Sequence, residues 1–169
     1  MVIDYYALAS YFIIYSFVGW LVEVIFQAVT KGKIVNRGFL NGPVCPIYGF
    51  GMVAVLLFFN HINVGNLQEA SGLFLFVIGA VFSTVIELFG GWVLDKLFHT
   101  KWWDYSKEKF NLHGYICLRF SMIWGIGVVF IMHVIHPLVE KFSVHLIPEK
   151  IGWWIIAALF VVYFIDLIV

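Results

Sequence analysis

Charge is scarce in this sequence. Lys, Arg, Asp and Glu together make up 12% of its 169 residues, with ten basic residues against ten acidic ones. Soluble domains carry about 25% charged and roughly 45–50% apolar residues, whereas here 63% are hydrophobic and 20% aromatic. With a mean hydropathy of +0.98, a water-soluble domain is excluded. The balanced charge gives no basic surface to argue for nucleic acid, and none is expected as a partner.

Cysteine is scarce as well. The two present, Cys45 and Cys117, form no C-x-x-C pair, which leaves no redox or metal signature. Both fall at helix ends on the side read below as cytoplasmic, where thiols stay reduced, so no disulfide is expected. The sequence has no G-x-x-x-x-G-K-[ST] phosphate loop, no nucleophile elbow, no H-E-x-x-H and no haem motif. No cofactor and no metal are therefore expected. The pair His133 and His136 is read as interfacial histidine.

Long apolar runs are what the sequence does have. A helix needs about 20 residues to cross a hydrocarbon core of roughly 30 Å, and residues 5–29, 46–62, 72–98, 118–138 and 151–169 offer five such stretches. The second is short at its start, where Pro43 and Pro46 intervene. No strand-like alternation suggests a barrel, and backbone groups in lipid must be satisfied internally. The expected fold is an all-α membrane protein of about five transmembrane helices, with residues 1–169 as one transmembrane domain.

The chain also reads as a duplication. Residues 19–26 (GWLVEVIF) line up with residues 91–98 (GWVLDKLF), with glycine, tryptophan, acid and phenylalanine in step. Further on, residues 38–40 answer 114–116, and residues 47–51 answer 123–127 across a longer middle loop. The expected architecture is two parallel-related helical hairpins, about 5–62 and 72–138, plus an extra helix at 151–169. Membrane transporters often place their sites between such repeats.

Basic residues orient the chain. Lys31, Lys33 and Arg37 lie in the first connection, and Lys96, Lys101, Lys107, Lys109 and Arg119 at the third. Only Lys141 and Lys150 lie elsewhere. By the positive-inside rule those connections face the cytoplasm, with the N-terminus outside and the C-terminus inside. The opening residues lack a basic n-region and a small-residue cleavage site, and are read as an N-out first helix.

Acids inside membrane helices normally face a bundle interior or a wet cavity, because a central acid costs about 2.5–3.5 kcal/mol by insertion scales. Glu87 sits near the middle of the third stretch and is expected to line a polar cavity. Glu23 and Asp95 lie nearer the cytoplasmic edge, with Arg37 as a candidate partner for Glu23, and Lys96 or Arg119 for Asp95. Asp166 reads as interfacial. The connection 36–51 is rich in glycine and bulky apolar residues and carries Pro43 and Pro46, which suits a packed, non-helical entry to the second helix. In the other connection Trp102-Trp103-Asp104-Tyr105-Ser106 is followed by Asn111, and Asp104 is expected to accept from Arg37 or Arg119.

The runs Asn-Arg-Gly-Phe-Leu-x-Gly-Pro-x-Cys-Pro-Ile-Tyr-Gly-Phe-Gly from Asn36, Glu-Leu-x-x-Gly from Glu87, Trp-Trp-Asp-Tyr-Ser from Trp102 and Asn-Leu-x-Gly-x-Ile-Cys-Leu from Asn111 resemble a bacterial family of small membrane proteins. Its members are described as ABC-transporter permeases of a "type IV" kind. The resemblance covers about residues 15–127 and implies a multi-pass protein of the bacterial plasma membrane.

Three functions fit this sequence. The first is a membrane transport component, with no ATPase of its own and an unknown substrate. Glu23, Arg37, Tyr48, Glu87, Asp104, Tyr105, Asn111 and Arg119 would be its candidate substrate-binding residues. Its partners would be membrane lipid, a separate ATPase subunit, or further copies of itself. The second is a membrane-embedded enzyme acting on a lipid or amphiphile at the cytoplasmic face. Its argument is the polar cluster of Asn36, Arg37, Tyr48, Asp104, Tyr105, Ser106 and Asn111. The third is a non-catalytic scaffold or accessory subunit.

Overall fold

In the computed structural model, residues 4–34, 36, 40–62, 70–141 and 147–168 are described. Among the described residues are five helices: α1 (Tyr5–Lys31), α2 (Pro46–His61), α3 (Gly72–Phe98), α4 (Leu118–Val139) and α5 (Glu149–Ile168). Their ends follow from local chemistry. Asp4 caps α1, its carboxylate accepting from Ala7 N at 3.0 Å. Gly32 closes the same helix at φ 64°, a left-handed turn that glycine adopts without strain. Pro46 opens α2 where its missing N–H costs nothing. His99 ends α3 at φ 52°, its N–H returning to Asp95 O.

Four of these helices, α1, α3, α4 and α5, are long and apolar enough to cross a membrane. The fifth expected span, α2, is a shorter apolar helix. α2 has 16 residues, which at 1.5 Å per residue gives about 24 Å, short of the roughly 30 Å of a hydrocarbon core. The chain before it is packed but not helical, with Leu40, Val44 and Cys45 buried. α4 widens to a π-helical turn at Ile131–Ile135. An unexpected feature is a two-stranded antiparallel hairpin, β1 (Asn111–Leu112) with β2 (Ile116–Cys117), pairing Asn111 with Cys117.

Contacts divide the chain into two units, Met1–Val53 with Lys141–Val169, and Ala54–Glu140. In the first, α1 packs on α5 through aromatic side chains. Tyr6 lies against Trp153 at 5.8 Å between ring centroids, and Phe12 stacks on Phe160 at 5.5 Å. Gly152 lets the α5 backbone meet the Tyr6 ring, which a Cβ there would strike. Hydrophobic attraction cannot drive helices together in lipid, so close contacts of this kind carry the association.

In the second unit α3 and α4 pack by the same device, used in both directions. A Cβ at Gly79 would enter the Val128 side chain, and one at Gly125 would come 2.9 Å from Phe76. Beside them the hydroxyls of Thr84 and Ser121 lie 2.7 Å apart. The end of α2 joins this unit, with Phe58 4.9 Å from Phe82 and Phe59 5.8 Å from Phe74.

Candidate functional site

On α3, Leu75, Gly79, Glu87 and Gly91 are buried, and Asp95 is half-buried one turn beyond. These residues fall at intervals of four or eight, so they form one ridge along the helix. An acid near the middle of an apolar helix must find hydrogen-bond donors, and Glu87 finds them on both sides. Its Oε1 accepts from Trp124 Nε1 of α4 at 2.8 Å and from the Tyr105 hydroxyl at 3.2 Å. The residue is 8% exposed, so the polar cavity expected at Glu87 gives way to a closed contact of α3, α4 and the loop, whose donors satisfy the acid in place of water.

Tyr105 belongs to the loop after α3, yet it reaches Glu87, which lies about 16 Å back from the end of the helix at 1.5 Å per residue. The loop therefore folds back along α3. Three of its aromatic side chains cover the ridge: Tyr105 at Glu87, Trp103 beside Gly91, and Tyr115 at Gly91 and Asp95. A Cβ on Gly91 would sit 3.2 Å from both Trp103 and Tyr115. The Tyr105 ring is held flat on Phe120 of α4, with centroids 4.6 Å apart.

The loop keeps its shape through its own polar groups. Asp104 Oδ1 accepts from Ser106 N at 2.9 Å, and Lys101 Nζ donates to His113 O at 2.8 Å. Asn111 Nδ2 donates to Glu108 O at 2.8 Å, and Asn111 Oδ1 accepts from Gly114 N at 3.2 Å. Trp103 Nε1 donates to Tyr115 O at 2.8 Å. Gly114 is needed at φ 76°, where a Cβ would also meet the Asp104 carboxylate. The Ser106 backbone N–H, then its hydroxyl, hold the Asp104 carboxyl below its ordinary range, with Lys101 and Lys107 adding to this against a desolvation effect. The Tyr115 hydroxyl is pushed up from its usual value, first by its hydrogen bond to Asp95.

Arg119 Nη1 pairs with Glu108 Oε1 at 3.2 Å. The expected Arg119–Asp104 link gives way to this pair and to Ser106, because Asp104 turns back onto its own chain. Asp95, expected to pair with Lys96 or Arg119, instead accepts from the Tyr115 hydroxyl at 2.6 Å.

The first unit carries a comparable clamp. Glu23 Oε1 accepts from the Tyr48 hydroxyl at 2.6 Å, and the Tyr48 ring lies across Gly19 where a Cβ would overlap it. The entry to α2 is fastened at further points. Asn36 accepts from Trp20 Nε1 and donates to Asn41 O, each at 2.7 Å. Cys45 N donates to Ser16 O at 2.8 Å. Gly42 N donates to Asp166 Oδ2 of α5, also at 2.8 Å.

Of the eight candidate residues, Glu87 and Tyr105 are in contact, as are Glu23 and Tyr48. Asp104 and Asn111 fasten the loop that carries Tyr105, and Arg119 lies at its edge. Arg37 lies outside the described residues, and with it the expected bridges from Arg37 to Asp104 or Glu23. Sequence reasoning missed Trp124 as a partner of Glu87, since nothing in the aligned segments points to that pair. Asp166, expected only as an interfacial acid, is a structural anchor for Gly42 N. The signal was an acid near the end of an otherwise apolar helix. Both cysteines are free and buried, and no cluster of metal-ligating side chains occurs among the described residues.

Four helices long and apolar enough to cross a membrane, with a buried carboxylate fastened between two of them, mark a polytopic helical membrane protein. More narrowly, the chain belongs to the family described as "Putative ABC-transporter type IV", whose model matches residues 10–169. The match takes in α5, which the motif runs had left outside. No curated protein and no solved structure matches the chain.

Proposed function

We propose that this chain is the membrane-spanning component of an ABC transport system, with Glu87 as its central polar residue. The observation that carries the reading is Glu87 itself, an acid buried in the middle of α3 and held by Trp124 and Tyr105. An acid of this kind within a membrane span marks an ion or substrate pathway by default, and family membership supplies the transport context. Tyr105 sits on a loop rather than a helix, so its withdrawal would uncover the carboxylate without parting α3 from α4.

In this reading Asp95 supports the same path, Asp104 and Asn111 hold Tyr105 in place, and Glu23 with Tyr48 forms a polar clamp within the first unit. The duplicated hairpin is part of the proposal. It is supported by the two glycine–acid pairs, Gly19 with Glu23 and Gly91 with Asp95, each covered by a tyrosine that donates to the acid at 2.6 Å. So is an orientation with the basic connections in the cytoplasm of a bacterial cell, where a separate ATPase subunit would dock. The enzyme reading has less support, because Asp104, Ser106 and Asn111 engage the backbone of their own loop.

Affinity capture of the tagged chain from its native membrane, followed by mass spectrometry, tests the proposal. The expected result is stoichiometric recovery of a second chain that carries a phosphate loop. Recovery of this chain alone, or only with copies of itself, favours the scaffold reading.

A further inference from the structure

The second unit contains a surface groove of ≈ 590 Å³ lined by Lys107, Glu108, Lys109, Phe110, Leu118, Arg119 and Met122. We propose that it binds the phosphodiester headgroup of an anionic glycerophospholipid, with an acyl chain lying along α4. The inference needs only the membrane setting and stands apart from the transport reading.

Charge is the first argument. Lys107, Lys109 and Arg119 line the groove against one carboxylate, Glu108, which is already paired with Arg119 at 3.2 Å. Outside the lining, Asp104 acts on Lys107 but is hydrogen-bonded by Ser106. The groove therefore keeps a positive excess suited to a phosphodiester. The Arg119 side chain remains 67% exposed while Glu108 and the Phe120 ring, 5.8 Å from its guanidinium carbon, steady it, which leaves it accessible to a charge-assisted contact.

The apolar floor argues for lipid over a soluble acidic segment. Leu118 and Met122 are 53% and 46% exposed, and Ile126, one turn further, is 63% exposed. Spaced by four, they form a ridge that leaves the groove and continues down a helix long enough to span a membrane. A partner arriving from water has no use for that ridge, whereas an acyl chain follows it. Phe110 marks the mouth. It is held at φ 55°, a backbone conformation a bulky L-residue rarely adopts, and the residue is 80% exposed. An aromatic ring presented this way suits the headgroup layer at a membrane edge.

The full chain in zwitterionic detergent, titrated with phosphatidylglycerol or phosphatidylcholine of identical acyl chains and read by native mass spectrometry, tests the proposal. The wild-type protein should retain phosphatidylglycerol preferentially, and Lys107→Gln/Lys109→Gln/Arg119→Gln should abolish the preference. Each cation removed should weaken it about fivefold. Lys31→Gln, a matched charge loss elsewhere, should leave it intact. Thermal melting checks folding, and if the triple variant unfolds, Lys109→Gln alone decides through its single fivefold step. Equal retention of both lipids, or equal loss in Lys31→Gln, overturns the proposal. So does displacement of the lipid by inorganic phosphate or by polyglutamate, which would assign the groove to a free anion or to an acidic protein segment.

Discussion

The Tyr105 hydroxyl donates to the Glu87 carboxylate at 3.2 Å, joining the loop that follows α3 to the middle of that helix. Trp124 completes the arrangement from α4, so the acid is held by two elements besides its own. Its replacement separates charge from packing. Glu87→Gln keeps an acceptor for both donors and should leave the melting temperature nearly unchanged. Glu87→Leu strands the indole N–H and the phenol, each costing about 1–3 kcal/mol when buried without a partner. Thermal unfolding in detergent should rank the two in that order, and equal destabilisation would refute the hydrogen-bond account.

The two glycines beneath the tyrosine clamps should respond unequally to alanine. At Gly19 a Cβ overlaps the Tyr48 ring itself, so the clamp on Glu23 must open. At Gly91 the nearest ring atoms stand at 3.2 Å and need to yield only slightly. Gly19→Ala should therefore lower stability clearly more than Gly91→Ala, with overpacking of this kind costing about 1–3 kcal/mol. A reversed order, measured by thermal melting, would show that the clamps are packed differently.

Asp166 fastens the entry to α2 from α5 through Gly42 N at 2.8 Å. Asp166→Ala removes the acceptor, so amide exchange at Gly42 should accelerate by at least about tenfold, the factor for losing roughly 1.4 kcal/mol. Exchange at residues 99–117 should not change. An unchanged rate at Gly42 would mean that the carboxylate does not hold this segment.

The loop carrying Tyr105 should loosen in acid. The folded carboxyl of Asp104 is held below its ordinary value of 3.8, so its contribution is present above that value and fades as pH falls through the lower folded one. Amide exchange at Ser106, corrected for intrinsic rate, should rise over that window. In Asp104→Ala the site should be unprotected at every pH. A wild-type profile without an acid step would contradict the link between Asp104 and the loop.

Much of the helical framework was legible because long apolar runs have few alternatives in lipid. The third helix begins and ends at the expected residues, Gly72 and Phe98, since Ser71 and the polar stretch from His99 bracket an unbroken apolar run. α2 was legible too: the stretch expected at 46–62 is Pro46–His61, and the packed, non-helical entry expected before it follows from Pro43 and Pro46, with Gly42 N held by Asp166. Glu87 stood out as a site residue because an acid in the middle of an apolar helix is conspicuous. Its partners did not, since periodicity says nothing about a loop that turns back along its own helix. Tyr105, Trp103 and Tyr115 reach α3 only because that loop closes on Asn111 and Gly114.

The central claim is that Glu87 serves an ATP-driven transport complex, and one measurement addresses it directly. Vanadate-sensitive ATP hydrolysis is compared between material captured from native membranes through the wild-type chain and through Glu87→Gln, at equal recovery of folded protein. The account predicts hydrolysis in the wild-type capture and a fall of about tenfold in the variant, equivalent to losing roughly 1.4 kcal/mol of transition-state stabilisation. Hydrolysis that is absent from the wild-type capture, or undiminished by Glu87→Gln, would contradict it.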